Sequence, residues 1–169
     1  ALGFENGRIL FVSDAAAIPD DRSRFEVIDV SGKEVYPGLI AANTILGLSE
    51  IEQARATLDH NEVGAYNPNV RALIAYNTDS KVVPTIRSNG ILLAQVVPRG
   101  GTLSGASSIM TLDGWNWEDA AYKPDDAVHL NWPQMFVPPG NEDAPHGLPK
   151  NDPVAEVQKL RRFFSDARA

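Results

Sequence analysis

The chain has 169 residues, 43% hydrophobic and 22% charged, with a net charge of −7 and no cysteine. Such a composition is ordinary for a globular protein, and the lack of cysteine excludes disulfides, thiolate-held zinc and thiol nucleophiles. The negative charge argues against a nucleic-acid partner, which needs a basic face, and no apolar run approaches the ~20 residues that span a bilayer as a helix.

Gly7 to Val12 and Phe25 to Val30 are short β-rich runs separated by a polar loop around Pro19, and both predict strands. Ser31-Gly32-Lys33 predicts a turn that returns the chain as a third strand over Glu34 to Tyr36, and Leu39 to Asn43 predicts a fourth. Ser49 and Glu52 have capping-box spacing ahead of Ala54, Ala56 and Leu58, so a short helix is expected there. Asn67-Pro68 marks another helix start, with Leu73, Ile74 and Asn77 on one face. Pro84 opens a third, which stops at Gly90. Ile91 to Val97 is an apolar run of strand length, suited to a parallel sheet covered on both faces. Ser108 to Leu112 and Ala127 to Leu130 predict shorter strands. Val137 to Pro149 is rich in proline and predicts a loop. Asp152-Pro153 then caps a helix with Val154, Val157, Leu160 and Phe164 along one stripe. Strands alternating with helices place the chain in the α/β class.

Residue types that carry chemistry are sparse. The histidines are His60, His129 and His146, and none has a second histidine or carboxylate at a ligand spacing. His60 reads as part of a solvated loop and His129 as a hydrogen-bonded histidine in or at the edge of the core. Gly100 to Ser107 has the spacing of a phosphate loop, but Ala106 stands where the lysine is needed. The glycines are therefore expected to turn the chain, with Ser104 and Ser107 as candidates to face a ligand at the carboxyl end of the preceding strand. Trp115, Trp117 and Trp132 lie close together, and burial of large rings is the expected reason. Asp125-Asp126 and Glu118-Asp119 read as solvated surface, because neighbours on a strand or turn point apart.

The run Pro37-Gly38-Leu39-Ile40-Ala41-Ala42-Asn43-Thr44-Ile45 resembles the first barrel strand of the amidohydrolase family, with Asn43 and Ile45 where a His-x-His metal motif would stand. An amide oxygen is a poor zinc ligand and isoleucine offers no donor. Asn77-Thr78-Asp79-Ser80, Arg87 to Ile91, Arg99 to Gly105 and Gly114 to Asp119 look like later landmarks of the imidazolonepropionase-related branch. The resemblance implies a partial β-sandwich over residues 1–37, the first βα units of an incomplete TIM-like barrel over 38–136, a loop over 137–151 and an amphipathic helix over 152–169. A complete barrel usually needs ~250 residues, so the chain reads as part of a larger protein.

The activity implied is metal-dependent hydrolysis of C–N bonds in non-peptide or peptide-like substrates, with zinc or a similar divalent ion as the family's cofactor. With the metal motif degenerate, no catalytic or metal-binding residue and no cofactor is expected for this chain alone. Asn43, Arg99, Ser104 and Ser107 remain candidates for ligand binding. The expected partners are the remainder of a parent protein, a second copy or an intact relative. Two other readings stand beside it: a non-catalytic scaffold on a hydrolase fold, and an anion-binding domain built on the Gly100 to Ser108 loop.

Overall fold

The structure is a computed structural model that describes residues 1–14, 23, 25–133, 135 and 152–169. It is a mixed α/β chain that divides into two compact units, Ala1–Pro37 and Gly38–Ala169. In the first, β1 (Leu2–Glu5) and β2 (Arg8–Val12) form an antiparallel hairpin. Its turn uses Asn6 and Gly7, both at positive φ, the backbone that two-residue hairpin turns demand. The predicted turn at Ser31-Gly32 forms as well, with the Lys33 N–H donating to Val30 O at 2.9 Å. The strands expected on either side of it, Phe25 to Val30 and Glu34 to Tyr36, do not, and Val27, Ile28 and Tyr36 stay exposed. Among the described residues this unit is therefore a hairpin with an extended tail.

The second unit is organised around a four-stranded sheet in the order β3 (Leu39–Thr44), β4 (Ile91–Val96), β6 (Ser108–Thr111), β7 (Ala121–Lys123). β3 and β4 run parallel, joined by a crossover that ends in α1 (Val82–Ser88), whereas β4–β6 and β6–β7 are antiparallel. The sheet is thus mixed where a parallel sheet was expected. A second, two-stranded sheet pairs β5 (Leu103–Ala106) with β8 (Val128–Leu130).

Alternation along β4 sends Ala94 and Val96 into the core and leaves Leu93 and Gln95 half-buried on the other face, while Ile91 at the strand's start packs against the core. Met110 joins them from β6. Leu46, Leu48, Leu73, Tyr76 and Val83, all from the crossover, close the core above. Helices predicted in this crossover shrink to single 3-10 turns at Arg55–Thr57 and Ala72–Ala75. Side chains compete for the backbone there: Thr57 Oγ1 donates to Ala54 O and accepts from Ile51 N, while Glu50 accepts from Asn77 and Ser80. Asn67 bonds Leu103 through its backbone instead of capping a helix. A four-residue α2 (Trp117–Ala120) is capped by Asn116, whose Oδ1 accepts the Asp119 N–H, while the Asp119 carboxylate accepts the Trp115 N–H.

The last helix, α3 (Pro153–Arg168), begins as expected, with Asp152 accepting from the Val154 and Ala155 N–H groups. Its docking face is rotated from the predicted stripe. Leu160 is buried and Phe163 stacks on Tyr66 with centroids 4.9 Å apart, whereas Val154 and Phe164 remain exposed. Phe163 and Phe164 follow Leu160 by three and four residues, so either could share its face. Contact with Tyr66 selects Phe163. The tryptophans depart further from expectation, with Trp115 90% and Trp132 59% exposed and only Trp117 packed against the core. His146 and the Val137 to Pro149 loop lie outside the described residues. Met110→Ala should therefore cost about 2–5 kcal/mol in urea denaturation, whereas Trp115→Ala should stay within about 0.5 kcal/mol of the parent.

Candidate functional site

The carboxyl ends of the parallel pair carry a continuous polar network. Asn43, next to last in β3, lies in the left-handed region, φ 54°, a conformation that asparagine tolerates better than most residues. Arg99, just beyond β4, holds it there with two donors: Nη1 to Asn43 Oδ1 at 2.8 Å and Nη2 to Asn43 O at 2.6 Å. From β4, Gln95 Oε1 accepts the Asn43 N–H at 3.2 Å, and Gln95 Nε2 donates to Asp126 Oδ2 at 2.6 Å. Lys123 Nζ donates to the other Asp126 oxygen at 2.8 Å. The hydrogen bond from Lys123 and then that from Gln95 hold the Asp126 carboxyl below its usual range. Asp126 is thus tied into the network instead of being free surface, and its neighbour Asp125 accepts a bidentate pair from Arg71 at 2.8 and 2.9 Å.

His129 sits beside this network on β8, half-buried, and among the described residues its buried Nε2 has no hydrogen-bond partner. Burial first, and the charge of Arg99 second, push the imidazole below its ordinary value of 6.5, against a smaller opposing effect of Asp126. His60, half-buried with an equally unpartnered Nδ1, lines an open cleft on the β3–β4 crossover.

Of the four residues singled out in the sequence, the structure brings Asn43 and Arg99 into direct contact and sets Ser104 and Ser107 apart from them in role. Both serines are buried and donate to carbonyls, Ser104 Oγ to Gly100 O at 2.7 Å and Ser107 Oγ to Ala127 O at 3.2 Å. Four of the loop's N–H groups are spent in the same way: Thr102 and Leu103 donate to Ala65 O, Ala106 to Val70 O and Ser107 to Ala127 O. Gly105 has φ +123°, and a Cβ there would lie 2.6 Å from Val70 O. These glycines serve a turn packed tightly against its neighbours.

Gln95, Lys123 and Asp126 escaped the sequence reading. The available signal was Gln95 itself, the one polar residue in the apolar run Ile91 to Val97, because a polar side chain on a covered strand calls for a partner. The two residues likened to a His-x-His motif are both committed within the chain: Asn43 Oδ1 accepts from Arg99, and Ile45 packs against the core. Among the described residues no three histidine, aspartate or glutamate side chains gather as a metal-holding group.

Two predictions test this geometry. Valine is β-branched and strained at positive φ, so Asn43→Val should cost about 1–3 kcal/mol more than Asn43→Gly in denaturant titrations. His129 has a folded-state pKa below that of the unfolded chain, so on acidification the unfolded chain takes up the proton first, and stability falls as pH drops below 6.5. His129→Gln should remove that part of the loss between about pH 7.5 and about pH 5.5 in urea titrations.

No protein-family model matches the sequence, and no curated protein matches it. The structure is similar to the crystal structure of an amidohydrolase from Thermotoga maritima MSB8, with a TM-score of 0.65 and 23% sequence identity. The match covers 76% of this chain and 33% of that protein. The chain thus spans a third of that protein's length and has an amidohydrolase-like fold over the matched part.

Proposed function

We propose that the chain is the amino-terminal part of an amidohydrolase-like hydrolase of the imidazolonepropionase-related branch, carrying part of a β-sandwich and the opening units of a TIM-like barrel. The observation that carries this reading is the parallel β3–β4 pair, with its polar network at the carboxyl ends, in a fold similar to one third of an amidohydrolase. Barrel enzymes build their sites at those ends. Here the metal position is degenerate, occupied by an Arg99–Asn43 clamp. Hydrolysis of a C–N bond then requires residues beyond this chain, from the rest of a parent protein, a second copy or an intact relative.

One observation favours the second reading, a non-catalytic scaffold. β3 is an edge strand among the described residues, and Leu39 and Ile40 are 60% and 61% exposed on it. An open, apolar strand edge is a template for pairing with another chain. The anion-binding reading has less support, because the Ser104 and Ser107 hydroxyls and the N–H groups of Thr102, Leu103, Ala106 and Ser107 are bonded internally.

Restoring histidines, as in the Asn43→His/Ile45→His double variant, should produce no hydrolysis of cyclic amides or N-acyl amino acids in the isolated chain, even with added zinc. Turnover by that variant would contradict the need for further residues. In sedimentation velocity the isolated chain should self-associate and bind a hydrophobic dye. A compact monomer whose sedimentation coefficient does not change with concentration, and which binds no dye, would overturn the partial-barrel reading and favour a complete small domain.

A further inference from the structure

The cleft that His60 lines has a volume of about 510 Å³ and lies on the β3–β4 crossover, within the ~300–1,000 Å³ typical of small-molecule sites. It combines two kinds of wall. Asp59 and Glu62 supply carboxylates, and Val70, Ile74 and Pro98 supply apolar surface.

Charge decides what this space takes. Arg71 also borders it, but its guanidinium is satisfied by the bidentate pair with Asp125. Among the described residues neither Asp59 nor Glu62 forms an ion pair; Glu62 Oε1 accepts only the adjacent Val63 N–H at 2.7 Å. Two uncompensated carboxylates in a concave wall concentrate negative potential at the cleft. A metal ion does not fit, because three ligating side chains are not gathered there. An organic cation does, since its charge would face the carboxylates while an apolar body lies against Val70, Ile74 and Pro98. We infer that this cleft binds a small organic ammonium ligand with an apolar body, such as an arylalkylamine. The inference stands on the cleft alone and is independent of the hydrolase reading.

Ligand-observed saturation-transfer NMR on the full chain tests it, with benzylamine, benzyl alcohol and benzoate as probes of nearly equal size and different charge. Benzylamine should bind saturably, at least about tenfold more tightly than benzyl alcohol, with benzoate weakest. The Asp59→Asn/Glu62→Gln variant should weaken benzylamine about tenfold or more, whereas Glu118→Gln, at an exposed acid on α2, should leave it unchanged. Should the double variant fold poorly, raising salt from about 20 mM to about 500 mM on the unaltered chain should weaken benzylamine and leave benzyl alcohol unaffected. No saturable benzylamine binding, or discrimination below about tenfold between amine and alcohol, would overturn the inference. So would an affinity indifferent to both the two carboxylates and salt.

Discussion

Parallel pairing of β3 with β4 obliges the chain to return from one end of the sheet to the other before it can pair, because two parallel strands cannot be joined by a tight turn. The crossover from Ile45 to Gly90 is that return, and it is also the source of most of the core. Leu46 and Leu48 leave β3 directly into the buried cluster, Leu73 and Tyr76 sit on a 3-10 turn midway, and Val83 comes from α1. Without the parallel register these residues would have no face of β4 and β6 to cover. The cleft lined by Asp59 and His60 belongs to the same crossover, so core and cleft are consequences of one topological demand.

The second constraint is the end of β3. Backbone at positive φ costs energy in any residue but glycine, and it persists where surrounding bonds determine it. Arg99 supplies two of those bonds and Gln95 a third, each from just within or just beyond β4. The two strand ends are thereby fixed to each other by charge-assisted hydrogen bonds, which are stronger than neutral ones. The clamp also consumes the side-chain oxygen of Asn43. On the proposed reading, structural fixation stands at this strand end in place of ligand supply.

Much of the second unit was legible from residue patterns. The run Ile91 to Val97 became β4, Ser108 to Leu112 became β6, and Asp152-Pro153 capped α3, because length, apolar content and capping chemistry all agreed at those places. The misses cluster where side chains outcompete local propensity. Ser49 to Leu58 has a helical signature, yet Thr57 and Glu50 draw the backbone and the polar groups around it into a loop. β5 was obscured by Gly105, whose value lies in its close approach to Val70 and not in strand propensity. Of the candidate site, Asn43 and Arg99 were visible through the family resemblance. Their pairing was not, since it links residues 56 apart in sequence. Asp126 and Lys123 join only once antiparallel β6 and β7 turn the chain back toward Gln95.

The central proposal is that the end of β3, which the amidohydrolase resemblance likens to a metal position, serves instead as an Arg99–Asn43 clamp. Metal analysis of the purified chain, after loading with zinc and exhaustive dialysis, tests it most directly. The account predicts no stoichiometric zinc. One tightly held zinc per chain, lost on Asn43→Ala, would contradict it.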